Sequence, residues 1–227
     1  MHTARKIATL TAALSLMLIA GCGHGRYTTE HTNAAKAKMN MLKSATEYQM
    51  AYQAFMAGDL DKAASHVDYS LSLTETVPKS HVLKGRVMME KGDLEKATIC
   101  FQQAQKLDEK NVEAAYYQGV LAERVARKEE ALKYYQQAAD IEPANAQYSI
   151  AAAEMLIDLT RIDEADAYLR ARLDRFVNNA GVKQVMGNIA MLRGDTAAAQ
   201  ALYSPHSSPD RQRRYGRCRS QPLQTAQ

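Results

Sequence analysis

The small residues of this sequence fall on a 34-residue ruler. Ala63, Ala97, Ala131, Ala165 and Ala199 are each 34 positions apart, with no insertion between them. Four are preceded by a charged pair: Asp61-Lys62, Glu95-Lys96, Glu129-Glu130 and Asp163-Glu164. The fifth follows Ala197-Ala198. Twelve residues before each alanine sits Ala51, Gly85, Gly119, Ala153 or Gly187, and four after it sits Val67, Phe101, Tyr135, Leu169 or Tyr203. A turn opens ahead of each at Gly58, Gly92, Ala126, Thr160 and Gly194. A fixed period of this length means one supersecondary unit repeated along the chain, because a unit this small cannot close a core alone and must stack on its neighbours.

The unit is a pair of antiparallel helices. Apolar residues recur with helical spacing, as in Ala131, Tyr134, Tyr135 and Ala138. Gly92-Asp93 and Gly194-Asp195 end one helix and cap the next. The small residue of the first helix lets two backbones approach, and the large residue one turn beyond the alanine fills the groove between neighbours. Composition agrees with an all-α chain. There is no Trp, three Phe and twelve Tyr, and Ala is abundant. With 46% hydrophobic and 24% charged residues the chain can build a core, and wholesale disorder is excluded.

This register resembles the tetratricopeptide repeat, a 34-residue helix pair. Units would begin near Ser44, Pro78, Val112, Ala146 and Ala180. The best are Pro78–Asn111 and Val112–Asn145, the latter ending in the favoured Ile141-Glu142-Pro143. The family's first-turn aromatic is replaced by Glu47, His81, Ala115, Gln147-Tyr148 and Gly181-Val182, so the units are divergent. The resemblance implies a right-handed α-solenoid over 44–203, with four complete repeats and a fifth that frays at Tyr203. It also implies a concave groove, lined by the first helix of each pair, that binds a protein partner. Family groove positions fall on Tyr48, Tyr52, Phe55, Arg86, Met89, Tyr116, Val120, Glu123, Ile150, Glu154, Asp158 and Asn188. Aromatics mixed with scattered charges suit an extended segment or a helix with apolar anchors. Val120 and Ile150 also read as packing residues. The variant that clamps a C-terminal carboxylate needs a Lys/Asn/Arg cluster. Here only Asn188 matches, with Gln49, Leu83 and Ala151 at the other positions.

The first residues read as export machinery. Arg5 and Lys6 precede an apolar run from Ile7 to Ala20, which is short for a membrane span of about 20 residues. It ends in Ile19-Ala20-Gly21-Cys22, which resembles the lipobox of bacterial lipoproteins. That resemblance implies a signal peptide over 1–21, cleavage before Cys22 and lipidation of Cys22. Several acyl chains, at ~0.8 kcal/mol per buried methylene, would anchor the protein stably. Gly23, with no Asp at that place, implies an outer-membrane site facing the periplasm. Residues 22–43 then read as a tether, with His24, Gly25, Thr28, Thr29 and Asn33 disfavouring regular structure and some helical character near its end.

The net charge of +4 is made of +4 from an Arg-rich tail (204–227) and +2 from the leader, which leaves −2 for the body. A near-neutral body offers nucleic acid no electrostatic footprint. The tail has two readings: a basic, disordered segment for acidic lipid or polymer, or the truncated or frame-shifted end of a longer repeat protein. No chemistry assembles. His2, His24, His31, His66, His81 and His206 form no metal pair or triad, and Cys100 and Cys218 make no zinc spacing. Met39, Met41, Met50, Met56, Met88 and Met89 sit at helical spacing and read as core or adaptable groove residues. Glu129-Glu130 and Asp163-Glu164 open second helices and favour their dipoles. The expectation is a membrane-anchored envelope scaffold that binds partner proteins, with no catalytic role, cofactor or small-molecule substrate. An assembly or oligomerisation factor for a pilus, secretion or outer-membrane complex is the alternative.

Overall fold

A computed structural model describes residues 26–203. Within them the chain is helical and contains no strand. Ten α-helices run in order: α1 Arg26–Met56, α2 Leu60–Leu73, α3 Pro78–Glu90, α4 Leu94–Leu107, α5 Val112–Arg124, α6 Lys128–Ile141, α7 Ala146–Asp158, α8 Ile162–Arg170, α9 Ala180–Leu192 and α10 Thr196–Tyr203. Each odd helix packs on the even helix that follows it, and each pair stacks on the next, giving an α-solenoid. The first helices α3, α5, α7 and α9 open 34 residues apart, and so do all five second helices.

Local chemistry sets these boundaries. Asn111, Asn145 and Asn179 cap α5, α7 and α9, their side chains accepting from the N–H of Ala114 (2.9 Å), Gln147 (3.1 Å) and Val182 (3.0 Å). Asp59, Asp93 and Asp195 cap α2, α4 and α10 in the same way. The turn inside each pair demands a left-handed residue. Gly58, Gly92 and Gly194 supply it at φ of 79°, 82° and 80°, and Ala126 and Thr160 adopt it at 58° and 61°. In those two units an arginine, Arg127 or Arg161, stands where the others have the capping Asp, and it caps nothing with its side chain.

Packing within a pair is a matched fit. A Cβ on Gly85 would lie 2.5 Å from the Phe101 ring, on Gly119 2.6 Å from Tyr135, and on Gly187 2.5 Å from Tyr203. Where the first helix carries Ala51 or Ala153, the facing residue shrinks to Val67 or Leu169. Size is thus conserved across the pair rather than at either position. Cores run on through the stack: one cluster joins α1 to α5 around Phe101, Leu83 and Val87, and a second joins α5 to α9 around Leu156, Leu169 and Ile189.

Two expectations need correction, and one helix departs from the period. The described part of the 22–43 tether is helix: Arg26 to Met56 is one helix of 31 residues. Thr and Asn cost only some tenths of a kcal/mol each in a helix, roughly 0.7 at most. Ala34, Ala35, Ala37, Met39, Met41 and Leu42 are strong formers, and growth from an existing helix avoids a new nucleus. The methionines also divide. Met88 and Met89 are core, whereas Met39, Met41, Met50 and Met56 are exposed. Finally, α8 stops early at Arg170 and passes through a 3₁₀ turn at Leu173–Arg175. The equivalent helix ends carry Thr74, Asp108 and Glu142. Here Phe176 takes that place and is buried, and the tightened turn draws it into the core.

The leader, Cys22 and the Arg-rich tail lie outside the described residues. Among those described, no helix is long and apolar enough to cross a membrane.

Candidate functional site

The first helices bring Phe55, Arg86 and Tyr116 into one chain of contacts. On α1, Tyr48, Tyr52 and Phe55 are half-buried against the first core cluster. The Lys79 ammonium stands 4.7 Å from the centre of the Tyr48 ring. The Arg86 guanidinium of α3 lies between two rings, 4.7 Å from Phe55 and 4.8 Å from Tyr117. Such contacts are worth roughly 0.5–2 kcal/mol, depending on how far water is excluded.

On α5 the rings continue. Tyr117 stacks on Phe101 at 5.8 Å and meets Tyr116 edge-on at 5.3 Å. Tyr116 in turn touches Tyr135 at 5.6 Å and Tyr148 at 5.3 Å, and its hydroxyl accepts from the Gln147 amide at 3.1 Å. Burial pushes the Tyr48 and Tyr117 hydroxyls above the usual phenol range, Glu113 adds to this, and Arg86 opposes it. Both rings therefore stay neutral at physiological pH.

Beyond the rings the surface turns acidic. The Tyr135 hydroxyl donates to Glu123 at 2.6 Å. Its pKa is raised first by burial and then by that bond. Glu154 on α7 is held above the ordinary carboxyl range, first by burial and then by Glu123 and Asp158. Asp158 has one basic neighbour, the Lys128 ammonium at 3.8 Å. On α9, Asn188 is exposed and accepts from the Tyr203 hydroxyl at 2.6 Å. The groove is therefore aromatic and cationic on α1–α5, and acidic on α5–α7.

Met89 does not belong to it. It is 4% exposed within the first core cluster, and Arg124 of the next unit covers it by donating to its carbonyl at 3.1 Å. Val120 and Ile150 are half-buried against the second cluster. Tyr117, Lys79, Glu113 and Tyr148 were not among the groove positions. Tyr117 is visible in the sequence as an aromatic 34 residues after Leu83.

Cys100 is buried, and burial raises its thiol pKa, opposite to what a nucleophile needs. Among the described residues no three His, Cys, Asp or Glu gather in a way that could hold a metal.

Comparison with known proteins agrees with the geometry. A family model described as tetratricopeptide repeat matches residues 78–111 and 112–145. The protein PilF from Pseudomonas aeruginosa has a similar structure, with a TM-score of 0.65 at 15% identity over 72% of this chain and 75% of that one. MamA from Desulfovibrio magneticus RS-1 scores 0.60 at 14% identity over 79% and 98%. YrrB, described as a TPR protein with an unusual peptide-binding site, scores 0.55 at 16% identity over 79% and 90%. At these identities the likeness is one of fold. A curated relative, the CTR9 homolog of Arabidopsis thaliana, is 26% identical over 134 residues, which is 57% of this chain but only 12% of that protein. The fold and the matched segments together define the class: an α-solenoid of helix pairs, of which 78–111 and 112–145 match the tetratricopeptide repeat.

Proposed function

We propose that this chain is a lipid-anchored scaffold of the bacterial envelope that holds a protein segment in its concave groove. The observation that carries the reading is the run of ring and guanidinium contacts from Phe55 through Arg86, Tyr117 and Tyr116 to Tyr148, contributed by the first helices of four consecutive units. Tyr and Arg are the residues that dominate binding energy at protein interfaces, because they offer large rigid surfaces with a polar edge. The segment it suits has apolar or aromatic anchors over Tyr52, Phe55 and Tyr116, and a basic residue over Glu123, Glu154 and Asp158. A description of YrrB that includes a peptide-binding site is in keeping with this. The membrane half of the proposal rests on the sequence around Cys22, with the outer membrane facing the periplasm as its destination.

Each half has its own test. A photoreactive residue placed in cells at Tyr52 or Asp158 should give an adduct with a partner, and one at the exposed Lys133 of α6 should not. Equal adducts at all three sites would sink the groove assignment. Separately, Cys22→Ser should move the chain from the membrane to the soluble fraction. Unchanged fractionation would remove the anchor and leave the groove proposal standing.

A further inference from the structure

The two ends of the solenoid are finished differently. Within the stack, the large residue of each second helix is sealed by the first helix of the next unit: Val67, Phe101, Tyr135 and Leu169 are 0, 0, 2 and 0% exposed. The fifth member of the series, Tyr203, is 47% exposed, and Met191, at the place of the buried Met89, is 52% exposed. Tyr203 borders a slot between α9 and α10 that is open to solvent. The N-terminal end is more polar, with Met50, at the place of the buried Met186, left 41% exposed. The face of each first helix that meets the preceding unit carries Val87, Leu121, Met155 and Ile189, all buried. On α1 the same place is Gln53, and Gln49 stands where Leu83 and Val185 are buried. A polar outer face is what a terminal repeat needs for solubility. Among the described residues the N-terminal face is the more polar of the two ends.

The described chain carries a spare helical surface. The first helix α1 has 31 residues where α3 has 13, so its N-terminal part overhangs the stack by about 27 Å at 1.5 Å per residue. Along the overhang Ala35, Met39 and Leu42 share one stripe at i, i+4, i+7 and are all exposed, Met39 at 49% and Leu42 at 63%. Val182, Met186 and Ile189 have the same spacing on α9 and are buried in the second core cluster with Leu169 of the preceding unit.

We infer that the overhang of α1 from a second copy of this chain seats on the Tyr203 end, in the place of a sixth first helix. The contact continues the repeat-to-repeat interface already formed four times inside the chain. It joins two different surfaces, so it is heterologous and propagates head to tail.

That asymmetry gives a complementation test. The full chain in density-matched detergent should sediment as dimers and larger species that grow with concentration. Leu42→Glu removes one surface. Tyr203→Glu removes the other, and Met191→Glu does so from α9. Each variant alone should be monomeric, with unchanged helix content. An equimolar mixture of Leu42→Glu with either end variant should form a dimer and stop there, since each partner retains one intact surface. A wild-type chain that stays monomeric through the micromolar range overturns the inference. So does a single variant that assembles like wild type, or a mixture that stays monomeric.

Discussion

The fit between Gly85 and Phe101 gives a sharp test of how the units are built. In Gly85→Ala the new Cβ would stand 2.5, 2.7 and 2.9 Å from three carbons of the Phe101 ring. The ring cannot swing away, because it is fully buried and stacked on Tyr117. Overpacking of this kind costs about 1–3 kcal/mol, and three short contacts argue for the upper part of that range. Replacing Gly by Ala in a helix returns about 1 kcal/mol of propensity. The net expectation for Gly85→Ala is therefore a loss of about 1–2 kcal/mol. Phe101→Leu alone leaves a cavity and should cost a similar amount, about 1–2 kcal/mol. Together the two changes recreate the Ala153–Leu169 pair already present in the fourth unit. The added methyl fills the space the ring vacated, so the double variant should lie within about 1 kcal/mol of wild type, with a coupling of about 2 kcal/mol. Urea midpoints read by circular dichroism at constant m would measure it. If the two costs simply add, to within about 0.5 kcal/mol, the paired-volume reasoning is wrong.

Other outcomes follow from the same structure. Replacing Ala126-Arg127 or Thr160-Arg161 by Gly-Asp should relieve a left-handed residue and restore a helix cap. Each exchange should add about 1–2 kcal/mol, or a melting temperature about 2–6 °C higher, and a fall at both sites would refute the strain argument. Glu154→Gln should stabilise the chain at neutral pH, because burial, Glu123 and Asp158 raise the native carboxyl pKa. The sign follows from linkage: the penalty is complete above the native pKa and vanishes below the unfolded value of about 4.3. Melting curves of Glu154→Gln and wild type should therefore converge as the pH falls below 4, and a gap independent of pH would contradict the assignment. Asp166 behaves oppositely. Burial alone would raise its pKa, but Arg170 and Arg193 hold it low, so Asp166→Asn should destabilise at neutral pH and lose its effect in acid, as thermal melts across pH would show. Native Cys100 should resist a thiol reagent until the chain unfolds, since it is buried and its thiol pKa is raised, and rapid labelling under native conditions would contradict that burial.

The solenoid was legible because its signals are local and periodic. Gly58, Gly92 and Gly194 mark a backbone need that few other residues meet, and the small and large positions recur on one period. Tyr48, Tyr52 and Tyr116 sit at first-helix positions, half-buried against the core clusters. What the sequence hid depends on reach between units. Met89 aligns with Phe55 and Glu123, yet it is covered by Arg124, which comes from the next unit. Arg86 looked like an isolated charge until Phe55 and Tyr117 closed on it from both sides. The helix over 26–43 was obscured because composition near Thr28 and Asn33 is only weakly unfavourable, whereas extension of an existing helix is cooperative.

The two departures from the Gly-Asp turn show how such a stack distributes stability. Ala126 and Thr160 belong to the third and fourth units, each with a neighbour on both sides, whereas the first and last units keep Gly58-Asp59 and Gly194-Asp195. In a one-dimensional array a unit's stability is its own term plus the interfaces it shares. An interior unit has two interfaces to offset a strained turn, and a terminal unit has one. The same strain should therefore be felt more at an end. Gly194→Ala adds a methyl that meets nothing within 4 Å, so its cost is backbone strain alone, about 1 kcal/mol or more. In the last unit, where Tyr203 already lacks a cover, that cost should appear as local loss of α10. Hydrogen exchange should detect faster amides in Thr196–Tyr203 with α3 and α5 unchanged. A uniform rise in exchange across all units would mean that the stack melts as one body, and the separation of terms would fail.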